Sequence, residues 1–123
     1  MNDVHELSVA LSLVDAACEK AGALGDVRVE AVYVRLGALS GVVKDALSFC
    51  FEAAAKGTAV EGARLEIEDV PVTVLCPRCS VERRLTSMQH LRCPVCDELA
   101  PDVIDGRELE LAALEVSDRA PHC

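Results

Sequence analysis

The chain has 123 residues, 51% of them apolar, yet it holds only one tyrosine, two phenylalanines and no tryptophan, so its core is built from Val, Leu and Ala. Twenty-one acidic residues against twelve Lys and Arg give a net charge of −9. That field repels phosphate backbones, and the one basic cluster, Arg78, Arg83, Arg84 and Arg92, has no aromatic residue beside it, which argues against nucleic acid as a partner.

The length supports one domain, or a small core with a stapled appendage. The start of the chain has neither a basic segment nor an apolar run long enough for a signal peptide or membrane span, so a cytoplasmic location is expected. Seven cysteines fit a reducing compartment, where thiols stay available to metal.

From Glu6 to Ala21, apolar residues recur at Leu7, Ala10, Leu11, Val14, Cys18 and Ala21, a spacing that predicts a helix with one buried stripe. Gly22 and Gly25 end it. Residues 27–36 are rich in β-branched side chains and predict a strand. Val27 and Val29 fall on one face and Val32, Val34 and Leu36 on the other, so the strand is covered on both faces or changes phase near Ala31. Residues 37–41 turn the chain, with Ser40 as the expected N-cap region. Val43, Leu47, Cys50, Phe51 and Ala54 then mark a second amphipathic helix, stopped at Gly57.

Residues 64–68 alternate as a half-buried strand, and 70–75 lead on to Cys76. Residues 108–116 read as a strand that returns to the first sheet after a phase change near Ala112 and Ala113. The expected fold is therefore α+β: two helices on a small three-stranded mixed sheet, with an inserted zinc-ribbon-like β module. The expected domains are 1–70 plus 106–118, then 71–105 as the zinc-binding unit, with 119–123 a flexible tail.

The module rests on Cys76-Pro77-Arg78-Cys79 and Cys93-Pro94-Val95-Cys96. Two such knuckles at this separation present four thiolates to one tetrahedral zinc ion, with the segment between them folding back as a hairpin. Disulfides and a redox pair are the competing readings. A redox pair would open a helix, whereas Cys76 follows a strand-like run. A closed four-thiolate site leaves zinc no open position, so this metal supports the fold and does no chemistry. Of the remaining cysteines, Cys18 and Cys50 are expected as small buried hydrophobes, and Cys123 lies in the tail. His90 is expected as a solvated loop residue, and His122 with Cys123 makes no dedicated site. His5 and Glu6, opening the first helix, pair an imidazole with a carboxylate and form a candidate site for a first-row metal.

Taken together, the sequence resembles the HypA-type nickel metallochaperones of hydrogenase maturation over nearly its whole length. The resemblance is carried by His5-Glu6-Leu7-Ser8, by residues 36–42 (Leu-Gly-Ala-Leu-Ser-Gly-Val), and by Phe49, Phe51 and Glu52. Gly57-Thr58, residues 61–63 (Glu-Gly-Ala), the two knuckles and residues 106–110 (Gly-Arg-Glu-Leu-Glu) complete it. It implies a non-enzymatic carrier that binds Ni(II) at His5 and Glu6 as transient cargo, with structural zinc on Cys76, Cys79, Cys93 and Cys96. It also implies docking to a nickel-handling maturation GTPase and to the hydrogenase large-subunit precursor, with urease maturation factors as further partners. Family members open Met-His-Glu, whereas Met1-Asn2-Asp3-Val4 precedes His5 here; translation initiated on a GTG codon at position 4 would restore that opening. The alternative reading is a zinc-ribbon protein-interaction module without transferable metal.

Overall fold

The protein is described by a computed structural model over residues 3–85 and 91–118, the side chains of residues 3 and 4 apart. His90, His122 and Cys123, and with them the expected tail, lie outside the described residues. The chain order is α1 (Asp3–Leu24), β1 (Val27–Gly37), α2 (Lys44–Ala55), β2 (Arg64–Val70), β3 (Thr73–Leu75), β4 (Glu82–Arg84), β5 (Asp102–Asp105) and β6 (Leu109–Asp118). Two three-stranded sheets form, ordered β2-β1-β6 and β4-β3-β5. This is the expected α+β arrangement of two helices and small sheets. No described helix is long and apolar enough to cross a membrane.

The described residues divide into two compact units. One takes in 3–34, 42–67 and 110–118; the other takes in 35–41, 68–85 and 91–109.

In the first unit α1 packs on α2. The buried face of α1 is Glu6, Ala10, Leu13, Val14, Ala17 and Ala21. The expected stripe is therefore rotated: Leu7 and Leu11 are 41% and 47% exposed, and Cys18 is only half-buried. Apolar residues cover more than half the circumference of this helix, so periodicity alone does not fix which face turns inward. The small side chains of Ala10, Ala17 and Ala21 let the neighbouring helix come close, and that face is the one used. The helix also outruns the expected range at both ends, passing through Gly22 and stopping at Gly25, whose φ of 100° no β-carbon favours.

Leu47, Cys50, Phe51 and Ala55 form the buried face of α2. Val43, expected in that stripe, is the N-cap and 59% exposed, while Ala54 is only half-buried and Ala55 takes its place in the buried face. Ser40 does not cap the helix; it closes a turn with its N–H on the carbonyl of Gly37 at 3.0 Å. Val29, Ala31, Val32 and Val34 of β1 are all buried, including the adjacent pair Ala31 and Val32. Consecutive buried residues mean cover on both faces, as befits the central strand of its sheet. In β6 the half-buried positions run Leu109, Leu111, then Leu114, Val116, so the phase change falls at Ala112 and Ala113 as expected.

The second unit has its own small core of Val72, Val74, Leu85 and Ala100, with Leu39, Leu91 and Val103 packed against it. β3 is its centre. It runs antiparallel to β4, with Val74 opposite Arg83, and antiparallel to β5, with Val74 opposite Val103. Two glycines let the backbone cross itself nearby. The Gly37 N–H donates to the Glu108 carbonyl and the Leu39 N–H to the Gly106 carbonyl, both at 2.6 Å. A β-carbon on Gly37 would overlap the Gly106 carbonyl.

Two phenylalanines on α2, two residues apart, lie at opposite extremes: Phe51 is 2% and Phe49 75% exposed. Phe51→Ala is expected to destabilise the protein by about 3–5 kcal/mol, and Phe49→Ala by no more than about 0.5 kcal/mol. Urea unfolding of the two variants checks the difference.

Candidate metal centre

β3 delivers Cys76 into the first knuckle. The Cys76 N–H donates to the Val81 carbonyl at 3.0 Å, the Ser80 N–H to the Cys76 carbonyl at 2.8 Å, and the Cys79 N–H to Cys76 Sγ at 3.3 Å. The second knuckle repeats the pattern. The Cys93 N–H donates to the Glu98 carbonyl at 2.9 Å, the Asp97 N–H to the Cys93 carbonyl at 2.8 Å, and the Val95 N–H to Cys93 Sγ at 3.4 Å. The residue after each second cysteine must adopt a left-handed backbone to close this turn, and Ser80 and Asp97 do so at φ 58° and 65°. Both have short polar side chains, and aspartate in particular tolerates that region. Pro77 and Pro94 occupy the position after each first cysteine, where a fixed φ stiffens the turn.

The two knuckles face each other. Cys76 Sγ lies 3.5 Å from Cys96 Sγ, Cys79 Sγ lies 4.0 Å from Cys93 Sγ, and all four sulfurs fall within 4.8 Å of one another. A metal with four sulfurs at about 2.3 Å requires sulfur–sulfur edges of about 3.8 Å. The cluster therefore has the dimensions of a tetrahedral thiolate site. Cys76 and Cys93 are buried, Cys79 and Cys96 half-buried. The site's depth suits a metal sequestered from solvent.

Electrostatics point the same way. Burial disfavours the Cys93 thiolate, but the N–H groups of Cys96 and Val95 and the thiols of Cys76 and Cys96 outweigh it and bring its pKa down to about 6. At Cys96 a backbone hydrogen bond at Glu98 favours the thiolate. Burial and the crowding of Cys76, Cys79 and Cys93 prevail there and push it up to about 12. Four sulfurs this close cannot all carry negative charge unless a cation lies among them.

The other predicted pair is not assembled in this way. His5 is exposed, and the next residue, Glu6, is 3% exposed, the one buried charged side chain among the described residues. Glu6 Oε2 accepts the backbone N–H of Val43 at 2.9 Å, and that bond holds the Glu6 pKa below its ordinary value of 4.5. A carboxylate on α1 thus binds a backbone donor at the N-cap of α2, where no local side chain caps. Sequence reasoning missed this role. The available signal was a helix start without Ser, Thr, Asp or Asn at its cap position, which leaves a donor to be satisfied from elsewhere. Asp45 is in the first turn of α2. Among the described residues, only the four cysteines bring three or more metal-ligating groups together.

Comparison with known proteins gives the context of this geometry. The family model described as "Hydrogenase/urease nickel incorporation, metallochaperone, hypA" matches residues 4–116. Hydrogenase maturation factor HypA of Roseiflexus sp. (strain RS-1) is 50% identical over 118 residues, 96% of this chain and 96% of the relative. The factor of the same name from Chloroflexus aurantiacus (strain ATCC 29366 / DSM 635 / J-10-fl) is 51% identical over 112 residues, 91% of this chain and 98% of that one. Among solved structures, the nickel metallochaperone HypA from Helicobacter pylori superposes with a TM-score of 0.64 at 29% identity, covering 93% of this chain and 98% of its own. A second HypA solution structure gives 0.66 at 28% identity, covering 93% and 97%.

Two outcomes follow from the geometry. Titration with Co(II) should saturate the cysteine cluster at about one ion per chain, with intense thiolate charge-transfer absorption. Cys79→Ser should weaken both saturation and absorption. For Glu6, the folded pKa lies below the unfolded one, so its contribution to stability is complete above about pH 4.5 and is lost as the pH falls through the folded value. The Val43 amide resonance should follow that titration, with a midpoint below 4.5, and Glu6→Gln should abolish it.

Proposed function

Because this chain belongs to the HypA family of hydrogenase/urease nickel-incorporation metallochaperones, we propose that it binds Ni(II) at His5 and Glu6 and delivers it during [NiFe]-hydrogenase maturation. The family is one of maturation factors, not enzymes, and the chain carries a four-cysteine metal-binding cluster. Zinc is the resident ion we assign to Cys76, Cys79, Cys93 and Cys96: it accepts four thiolates in a tetrahedron and has no redox chemistry to damage them. When bound, it neutralises sulfur charge and ties the two knuckles together. The chain's own residues do the rest. Backbone N–H groups orient the sulfurs, and the β3 and β4 strands fix the hairpin.

The observation that carries the nickel assignment is the exposed imidazole of His5 next to a buried, anchored Glu6. Anchoring Glu6 to Val43 fixes the start of α1 and so limits where the imidazole can go. Imidazole nitrogen suits nickel better than it suits magnesium or calcium. An exposed position also suits cargo that must be surrendered. Glu6, with Oε2 held by Val43, supports the site through its second carboxylate oxygen.

We assign nickel handling to residues 1–70 plus 106–118 and zinc binding to 71–105. The partners of this reading are a nickel-handling maturation GTPase and the hydrogenase large-subunit precursor, with urease maturation factors as a second client system, all in the cytoplasm.

His5→Ala should weaken nickel binding by more than the roughly tenfold that loss of an outer-shell contact costs. Zinc content and circular dichroism should stay unchanged. Nickel delivery to a precursor should fall in parallel. Unchanged nickel affinity in His5→Ala would overturn the assignment and leave an interaction module whose only metal is on the cysteines.

A further inference from the structure

β4 is short, and its alternation is decisive: Glu82 and Arg84 are exposed, while Arg83 between them is half-buried. Arg83 is opposite Val74, which is fully buried and two residues before Cys76. Its Nε is shielded from solvent and meets no acceptor, the only buried side-chain nitrogen or oxygen among the described residues in that condition. The sulfurs of Cys79 and Cys93, one from each knuckle, lie near enough to its guanidinium to hold the Arg83 pKa above its ordinary value. Neighbouring arginines are placed otherwise: Arg78 and Arg84 are exposed, and Arg92 donates through Nη1 to the Asp97 carbonyl at 3.1 Å.

A divalent ion held by four thiolates forms a unit of charge −2, partly buried in a chain that is already acidic. Such a unit is stabilised by donors that point at its sulfurs, and a planar guanidinium supplies several from one side chain. We propose that Arg83 is the positioning and charge-compensating residue of the four-cysteine centre, donating to a sulfur of each knuckle and so locking the ion in place. This inference rests on the reading of that centre as a zinc site. It gives the site a reason to keep its metal in a protein that handles another one. Without compensation a cluster of basic thiolates exchanges ions more freely, and cargo would enter the wrong site.

The test uses the full chain loaded with zinc, and separately with Co(II). Zinc transfer to a chromophoric chelator is followed for wild type, Arg83→Gln, Arg83→Lys and Arg84→Gln. Arg83→Gln should bind zinc about ten- to hundredfold more weakly, the range for loss of an outer-shell partner of a metal site. Its thiolate-to-cobalt charge-transfer bands should move to lower energy, because sulfur lone pairs released from hydrogen bonds are more easily oxidised. Arg83→Lys should fall between it and wild type, and Arg84→Gln should match wild type. Wild-type retention and bands in Arg83→Gln would overturn the proposal, as would an equal loss in Arg84→Gln, which would reduce the effect to bulk charge. Should Arg83→Gln fail to fold, the band shift in Arg83→Lys decides by the same criterion. Wild-type protein that binds no zinc would instead overturn the zinc reading itself.

Discussion

Four sulfur atoms within 4.8 Å of one another form an arrangement that thiols alone do not sustain. Each ionised sulfur makes the next harder to ionise, which is why Cys93 and Cys96 move in opposite directions. A cation relieves the conflict, and it does so only if the backbone has already aimed the sulfurs. The knuckles provide that aim through two N–H donors to sulfur and through the left-handed residues Ser80 and Asp97. The second unit buries only a few aliphatic side chains. For so small a core, metal affinity and folding free energy are largely the same quantity.

The first unit solves a different problem. The buried face of α1 carries Ala10, Ala17 and Ala21 beside Leu13 and Val14, and its small side chains leave little volume to fix a helix's rotation. The Glu6–Val43 bond supplies that fixity with one directional contact between α1 and the start of α2. Consecutive residues on a helix point about 100° apart. Burying Glu6 against Val43 therefore leaves His5 on the exposed side of the helix. A carboxylate with a structural partner on one side and an exposed imidazole on the other couples the helix pair to the surface next to it.

Much of this was legible in the sequence, because short-range rules decide it. The CxxC spacing fixes knuckle geometry, and the alternation in 64–68 and 109–116, with its slip at Ala112 and Ala113, fixes the strand faces. The misread features depend on tertiary choice. Leu7 and Leu11 are expected inside because they recur at helical spacing with Ala10, Val14 and Ala21, yet the stripe is turned so that Leu13 and Ala17 are buried and the two leucines exposed. Ser40 was expected as a cap because local chemistry favours it, yet the donor at Val43 is met from 37 residues away. Arg83 read as part of a basic cluster. Only the register with Val74 and the shielding of its Nε set it apart from the exposed arginines.

The crossing of Gly37 and Gly106 bears on the order in which the chain assembles. Contacts inside each knuckle span only a few residues, and only thirteen residues separate Cys79 from Cys93, so the entropy lost in closing them is small. Bringing the strand end at Gly37 against Gly106 instead closes a loop of most of the chain, and it does so at a point with no side chain to tolerate an approximate fit. Topology therefore makes the knuckles an early event and the glycine crossing a late one. A newborn chain can capture its resident ion before Gly37 and Gly106 have met, and the metal-loaded knuckles are then the template on which the long-range pairing is completed.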